Sequence, residues 1–335
     1  MHPPAVGILA TGSYLPKEKV DAEEIAKRVG VSSDWILRKT QIATRRYAAP
    51  DEATSDLAMR AAVESLNGSG LDVDQLGFII VSTSTPDSPQ PPTSYLLQDA
   101  IGARRAVCFD VNVVCSGFVY GLAIARSMLA QWPGTYALVV ASDVYSRSLD
   151  FSDRGTAVLL GDGAGAAIVG PVGESYGFLD FELVSDGAAH QLIRVDAGGS
   201  RRPASHDTVD GGEHYFKMNG RGVRDFVLEH VPPVLETLVT RAGNDMKDVN
   251  VFVPHQANGV LLTELIERSR LTTARTSRTL EKYGNIGSAS VAVALDEANR
   301  TGLLRAGDLA LLAGFGGGMS IGACLVRWPA TDQKE

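Results

Sequence analysis

Two stretches of this chain resemble each other at a fixed spacing of 173 residues, the distance from Gly70 to Gly243. At that spacing, residues 70–81 align with 243–254 and residues 138–140 align with 311–313. The same offset places Cys115 on Ser288. A single offset that fits two apolar runs and one predicted helix start indicates an internal duplication. The chain is therefore expected to fold as two similar halves, residues 1–170 and 171–335.

The apolar runs within this repeat predict the fold class. Residues 76–82, 136–142 and 309–313 are continuous and apolar, as expected for strands buried on both faces. Segments with helical patterns lie between them, and alternating strands and helices favour an α/β fold with mostly parallel, mixed sheets. Parallel sheets carry their functional groups at the carboxyl ends of strands. Cys115, His255 and the glycine run 314–318 each follow such a strand, so we expect them in corresponding loops.

Cys115 stands between an extended segment and a predicted helix over residues 118–129. The amino end of a helix favours a thiolate, so the sequence predicts a lowered pKa and a nucleophilic role. A buried structural cysteine is the alternative, since cysteine is often buried.

His255 and Asn285 provide the groups that such a nucleophile requires. The imidazole of His255 can act as a base or as a cationic neighbour, and the Asn285 amide is a neutral donor. The backbone N–H groups of residues 314–318 can approach a substrate carbonyl and form an oxyanion hole. Each residue also has an ordinary structural explanation: a core histidine, a turn asparagine and a glycine hairpin. The combination favours catalysis.

Bulk properties exclude several function classes. The net charge is −8 with no basic block, which disfavours nucleic acid as a partner. No apolar run is long enough to span a bilayer and the first ten residues do not resemble a signal peptide, so a cytoplasmic, membrane-free protein is expected. The three cysteines lack CxxC spacing and the histidines lack ligand spacing, so no metal site is predicted.

Three other segments are interpreted from local pattern alone. The glycine-rich residues 161–166 lack a phosphate-binding lysine and predict a tight turn between strands. Residues 186–212 predict an irregular excursion or lid. Residues 219–242 predict a long helix broken at Pro232-Pro233.

Six segments together resemble β-ketoacyl-acyl-carrier-protein synthase III over nearly the whole chain. They surround Cys115 (VVCSGF), His255 (VPHQAN) and Asn285 (YGNIGSAS), and include residues 315–318 (FGGG), 153–156 (DRGT) and 161–166 (GDGAGA). The resemblance implies a thiolase-type fold, with two repeated halves in an α-β-α-β-α layering, and a homodimer. It also implies an acyltransferase that uses acyl-CoA as a substrate and needs no cofactor.

The resemblance also implies roles for the site residues. Cys115 would accept the acyl group, and the N–H groups of Cys115 and Gly317 would form the oxyanion hole. His255 and Asn285 would bind the carbonyl of a malonyl thioester as it loses carbon dioxide. Phe315 would support that decarboxylation by pressing on the carboxylate.

Further residues are implied in substrate binding. Trp35 would stack on the adenine of CoA with Arg147 on the opposite face, and Lys39 would contact a phosphate. Pro91 stands where an aromatic residue usually enters the acyl pocket from the partner subunit.

The chain departs from the family pattern where a carrier protein usually docks. Asp225, Val260 and Glu267 replace basic residues there, which should weaken docking of an acidic carrier. Two functions therefore stay open. The first is decarboxylative Claisen condensation with a malonyl thioester, in specialised metabolism rather than housekeeping fatty-acid synthesis. The second is plain acyl transfer from Cys115 to an oxygen, nitrogen or carrier thiol.

Overall fold

The computed structural model describes residues 5–329, which form two five-stranded sheets and two two-stranded ribbons. The strands are β1 (Val6–Tyr14), β2 (Glu18–Asp21), β3 (Thr44–Tyr47), β4 (Leu76–Ser82), β5 (Val107–Val111), β6 (Tyr136–Val144), β7 (Asp162–Pro171), β8 (Gly177–Ser185), β9 (Ile193–Arg194), β10 (Lys217–Met218), β11 (Val251–Pro254), β12 (Arg275–Thr276), β13 (Leu309–Gly316) and β14 (Ser320–Arg327). The α-helices are α1 (Ala22–Val29), α2 (Ser33–Thr40), α3 (Thr54–Ser69), α4 (Thr93–Ile101), α5 (Gly117–Gln131), α6 (His206–Asp210), α7 (Gly220–Arg241), α8 (Gly259–Arg268), α9 (Leu280–Tyr283) and α10 (Ala289–Arg300).

The two large sheets share one topology. The first has the order β1-β7-β6-β4-β5 and the second has the equivalent order β8-β14-β13-β11-β12. In each sheet three neighbouring strands are parallel, and the two remaining pairings are antiparallel, so four of five strands point the same way. β6 and β13 begin 173 residues apart, at Tyr136 and Leu309. The predicted duplication and mostly parallel, mixed sheets are therefore confirmed.

Helices form three layers around the two sheets. α5 and α10 lie between the sheets and pack on strands of both, and their apolar side chains join one central core. α3 and α4 cover the outer face of the first sheet, and α7 with α8 covers the outer face of the second. This is the predicted α-β-α-β-α layering. It places the amino ends of α5 and α10 side by side at the centre of the molecule.

The glycine-rich residues 161–166 are not a turn, and that prediction is wrong. They form the first part of β7, which runs unbroken from Asp162 to Pro171. A Cβ added to Gly165 would lie 2.6 Å from the Cβ of Ala292 in α10. Glycine is needed because the central helix packs directly on the strand.

The predicted break in the long helix is also wrong. α7 continues through Pro232 and Pro233. Buried residues on both sides of the prolines, Val231 and Leu235 among them, pack on the second sheet. This packing holds the helix together despite two lost backbone donors.

A smaller unit covers the site end of the sheets. Strands β2 and β3 and helices α1 and α2 pack with the segment after β6 around a separate apolar cluster, which includes Ile36, Tyr145 and Phe216. This cluster forms one wall of the cavity described below. No helix between residues 5 and 329 is both long and apolar enough to cross a bilayer.

Candidate active site

Cys115 lies just before α5 and is only 8% exposed. The backbone of β13 approaches it with no side chain between. A Cβ added to Gly316 would lie 2.8 Å from the Cys115 sulfur, and one added to Gly314 would lie 2.8 Å from the Cα of Ser116. Both distances are shorter than real Cβ contacts, so these positions require glycine.

The backbone N–H groups of Cys115 and Gly317 are close enough to the sulfur of Cys115 to favour its thiolate. These are the N–H groups expected to form an oxyanion hole. Burial nevertheless raises the pKa of the Cys115 thiol to about 12, and the negative charge of Asp143 adds to this effect. The predicted lowering of this pKa is therefore wrong for the free protein. The free energy needed to bury a thiolate exceeds the stabilisation that the helix end and the two N–H groups provide.

His255 follows β11 and is held by its backbone N–H, which donates to the carbonyl of Ala313 at 2.7 Å. Its ring is 2% exposed and meets the ring of Phe315 edge to face, with centroids 5.4 Å apart. Burial lowers the pKa of His255 to about 3. The imidazole is therefore neutral at physiological pH, where it can donate or accept one hydrogen bond but carries no charge.

Asn285 is fixed by its backbone and its side chain. Its N–H donates to Leu159 O at 2.9 Å, and its carbonyl accepts from Gly161 N–H at 2.9 Å. The side-chain Oδ1 accepts from the N–H of Gly287 at 3.0 Å. The acceptor end of the amide is thus engaged, which leaves the Nδ2 protons to donate into the cavity that Asn285 lines.

Cys115, His255, Asn285 and Phe315 line one cavity of about 330 Å³. Its deep end is buried, and its mouth is formed by more exposed side chains such as Lys39 and Val260. Most of the wall is apolar. Residues 5–329 contain no group of three or more His, Cys, Asp or Glu side chains arranged to hold a metal ion.

Trp35 and Lys39 both line the mouth of this cavity. The guanidinium of Arg154 lies 5.6 Å from the centroid of the Trp35 ring. A flat ring stacked between them needs about 3.5 Å on each side, so the pair must open slightly to admit one. Arg154 belongs to the DRGT segment and was not singled out from the sequence.

Arg147, the predicted partner of Trp35, lies elsewhere. Its Nη2 donates to the carbonyls of Ala49 and Glu52, at 2.9 and 2.5 Å. Three backbone carbonyls hold this guanidinium, so the arginine facing Trp35 is Arg154. Pro91 is exposed in the loop between β4 and α4, away from the cavity wall of its own chain.

Two arginines of helices α7 and α8 beside the mouth are paired with carboxylates. Arg224 contacts Glu264 at 2.6 Å and Asp225 at 3.3 Å, and Arg268 contacts Glu264 at 3.1 Å. Val260, which stands where the family usually has a basic residue, is 45% exposed. This surface therefore offers little uncompensated positive charge.

Sequence reasoning missed three more residues of the site. Tyr145 and Phe216 line the cavity and meet edge to face at 5.6 Å. Asp143 is fully buried two residues before Tyr145. The sequence does contain a signal for Asp143. A carboxylate directly after the apolar run 136–142 is expected to be buried, and a buried carboxylate needs hydrogen-bond partners. Phe216 lies between the irregular stretch 186–212 and the predicted helix 219–242, where the sequence offered no periodic pattern.

Comparisons with known proteins find relatives over nearly the whole chain. The family model described as 3-oxoacyl-[acyl-carrier-protein (ACP)] synthase III matches residues 109–187, and its C-terminal counterpart matches residues 239–328. An acetoacetyl CoA synthase, NphT7, from Streptomyces sp. (strain CL190) is 47% identical over 96% of this chain and 98% of its own. A beta-ketoacyl-[acyl-carrier-protein] synthase III from Natranaerobius thermophilus is 41% identical over 96% and 98%. The crystal structure of 3-oxoacyl-[acyl-carrier-protein] synthase III from Aquifex aeolicus VF5 superposes with a TM-score of 0.89, at 32% identity over 96% of this chain and all of that one.

Proposed function

This chain belongs to the 3-oxoacyl-[acyl-carrier-protein] synthase III family, and from that premise we propose how its own residues carry out a decarboxylative condensation. It is an acyltransferase of the condensing class. One observation carries the residue assignment: a cysteine sulfur shares a buried cavity with a neutral histidine and an asparagine amide. The reaction requires two thioester substrates and no cofactor.

In the first step, the sulfur of Cys115 attacks the carbonyl carbon of an acyl-CoA. The N–H groups of Cys115 and Gly317 hold the oxyanion as it forms. The bond to the CoA sulfur then breaks, and the proton from Cys115 ends on the CoA thiol. The raised pKa of Cys115 indicates that the free enzyme rests as the thiol, so proton loss accompanies attack.

In the second step, His255 and Asn285 donate to the carbonyl oxygen of a malonyl thioester. The bond between the α-carbon and the carboxylate breaks, and carbon dioxide leaves. The electron pair of that bond stays on the thioester and forms an enolate. The enolate carbon attacks the acyl carbon on Cys115, and the sulfur leaves as a thiolate that takes a proton from water. Neutral donors suit this step because charge develops on that oxygen only during reaction. Phe315 provides an apolar surface that disfavours the bound carboxylate.

The CoA adenine would lie between Trp35 and Arg154 at the mouth. Their separation of 5.6 Å and their place beside Lys39 support this assignment. A second subunit would add its Pro91 loop to the acyl pocket. Strand β5 ends the first sheet, and its Val107 is 56% exposed, which supports a homodimer that pairs along this edge.

The donor is proposed to be a short acyl-CoA. Tyr145 and Phe216 stand edge to face in the wall of the cavity that Cys115 also lines, and this aromatic pair is proposed to limit the length of the acyl chain. Phe216→Ala is expected to raise the loading of hexanoyl-CoA relative to acetyl-CoA roughly tenfold to a hundredfold, because each buried methylene contributes about 0.8 kcal/mol. Competition between the two donors, read by intact-protein mass, measures the ratio.

Phe178→Ala is the matched control, since Phe178 is buried in β8 outside the cavity. It should leave the ratio of donors unchanged. An unchanged ratio in Phe216→Ala as well would mean that this aromatic pair does not limit the donor.

The acceptor is proposed to be malonyl-CoA rather than a malonyl carrier protein. The paired charges of Arg224 and Arg268 and the exposed Val260 support this choice, since an acidic carrier gains little from such a surface. The relative from Streptomyces is named as an acetoacetyl CoA synthase, and a CoA product supports a CoA-bound acceptor.

One experiment tests both function and acceptor. The protein is mixed with acetyl-CoA and carboxyl-labelled malonyl thioester, as the CoA ester or on a carrier protein. We expect labelled carbon dioxide and β-ketoacyl-CoA in equal amounts, with kcat/KM about tenfold or more above that for the carrier ester. Acyl transfer without carbon dioxide would establish the plain acyltransferase instead, and faster reaction with the carrier would refute the choice of acceptor.

A further inference from the structure

Asp143 is a fully buried carboxylate that the proposed mechanism does not use. It lies at the end of β6, and both of its oxygens are saturated with donors. Oδ1 accepts from Thr83 Oγ1 (3.2 Å), Ser84 N–H (2.8 Å) and Thr85 Oγ1 (3.2 Å), and Oδ2 accepts from Ser288 N–H (2.8 Å) and Ser288 Oγ (2.7 Å). A buried carboxylate with this many donors is fixed in one orientation.

The donors come from two segments that meet at the site. Residues 83–85 begin the loop that leads to Pro91. Ser288 follows Asn285 by three residues and caps α10. The N–H of Gly287, just before Ser288, donates to Asn285 Oδ1 at 3.0 Å. Consecutive N–H groups of this segment therefore bind the Asn285 amide and the Asp143 carboxylate.

Gly287 shows how tightly the segment rests on Asp143. A Cβ added there would lie 2.4 Å from Asp143 Oδ2, and the φ of Gly287 is +57°. Asp143 Oδ2 therefore occupies the space that a side chain at Gly287 would take, and a movement of the segment away from Asp143 would lose both Ser288 hydrogen bonds. The position of Gly287 N–H, and with it the Asn285 amide, depends on Asp143.

We propose that Asp143 is a positioning residue for the condensation step, which clamps the 83–85 loop to the Asn285 segment and so keeps the Asn285 amide donating into the cavity. The inference rests on the proposed function, because it assigns Asn285 to the malonyl carbonyl. The proposed role of Asp143 concerns the second half-reaction, condensation. Acyl loading of Cys115 depends mainly on other groups.

A purely electrostatic role predicts the opposite result. The negative charge of Asp143 disfavours both the Cys115 thiolate and a nearby enolate, so removing it alone should accelerate reaction. Loss of positioning should slow condensation, because misplacing a catalytic group by about 1 Å costs on the order of a hundredfold. The sign of the change therefore separates the two roles.

Asp143→Asn is the direct test. The amide oxygen of the new side chain can accept from only one of the backbone N–H groups of Ser84 and Ser288. The amide NH2 must then face the other N–H donor. We expect acetyl loading, followed by intact mass, to stay unchanged or to rise by no more than about threefold, since loss of the charge favours the Cys115 thiolate, and carbon dioxide release by the acyl-enzyme to fall at least about thirtyfold. Hydrogen exchange should also become faster in both residues 83–88 and residues 285–290.

A second variant and a control keep the test decisive if Asp143→Asn folds poorly. Ser288→Ala removes one of the five donors and should slow condensation about threefold more than loading. Asp296→Asn is the control: Asp296 is 1% exposed and accepts from Thr11 and Ser13, away from the cavity. It should lower the melting temperature while both half-reactions slow equally or not at all.

The outcomes separate the inference from the function. Wild-type protein that loads acetyl but releases no carbon dioxide with malonyl-CoA would refute the proposed function. Wild-type activity together with equal slowing of both half-reactions in Asp143→Asn and Ser288→Ala would overturn the positioning role. Faster condensation in Asp143→Asn would overturn it in favour of the charge effect.

Discussion

The Cys115→Ala variant is expected to form no acyl adduct and to lose condensation by at least about 10³-fold. The sulfur is the atom that carries the acyl group between the two steps, and no other side chain of the site can replace it. Cys108 and Cys324 are also free thiols, but neither lines the cavity. Intact-protein mass after exposure to acetyl-CoA measures the adduct, and β-ketoacyl-CoA formation measures condensation.

The same variant should separate the two half-reactions. His255 and Asn285 do not depend on the sulfur for their positions, since each is held by backbone contacts of its own strand end or loop. Decarboxylation of malonyl-CoA without a donor should therefore remain measurable in Cys115→Ala. Asn285→Ala should show the reverse pattern, with a normal adduct and slow release of carbon dioxide.

Cys108→Ala is the matched control, because it removes a thiol from strand β5 without touching the cavity. It should load and condense like the wild type. An acyl adduct that persists in Cys115→Ala and maps to another residue would refute the assignment of the nucleophile.

The sequence was sufficient to locate the site, because its residues lie at points that topology alone determines. Cys115 and Ser288 precede the two central helices, and His255 ends a strand of the repeated sheet. A duplicated chain with parallel strands must bring these points together. The α/β class, the two similar halves and the candidate catalytic group therefore followed from periodicity, one repeat offset and residue chemistry, whereas the thiolase-type layering came from the resemblance to the synthase III family.

The sequence failed where packing distance or burial decides the outcome. It assigned a lowered pKa to Cys115 from the helix end, but burial dominates. It treated glycines of residues 161–166 as a turn, although Gly165 is there because α10 lies on the strand. It chose Arg147 over Arg154, and both arginines lie within eight residues of each other. Only coordinates show which guanidinium bends back onto backbone carbonyls.

The buried histidine should make the stability of this protein depend on pH in a defined direction. His255 has a pKa of about 3 when folded and an ordinary value of 6.5. Between these values the unfolded chain binds a proton that the folded protein does not, so stability falls as pH falls. The slope is about 1.4 kcal/mol per pH unit, or roughly 3 kcal/mol between pH 6.5 and 4.5.

The variant His255→Asn isolates this effect. In the wild type, Asp162 opposes the acid loss of stability that His255 causes. Burial raises the pKa of the Asp162 carboxyl to about 6, so at acid pH the folded state holds a proton there that the unfolded chain does not. The informative quantity is therefore the difference in unfolding free energy between wild type and His255→Asn, from urea titrations at pH 4.5 to 7.5. That difference should change by about 1.4 kcal/mol per unit below pH 6.5 and be constant above it.

Cys115 supplies the corresponding effect at alkaline pH. Its pKa is raised from 9.0 to about 12, so between these values the folded protein keeps a proton that the unfolded chain has lost, and stability falls as pH rises. Cys108 and Tyr47 act in the same direction, because burial also raises their pKa values, to about 11 and about 12. The difference in unfolding free energy between wild type and Cys115→Ala should therefore isolate the Cys115 share of the alkaline loss, and this variant should keep the acid dependence that His255→Asn removes. If the free-energy difference between wild type and His255→Asn stayed constant down to pH 4.5, the imidazole would titrate in the folded protein as it does in the unfolded chain, and burial would not be what keeps it neutral.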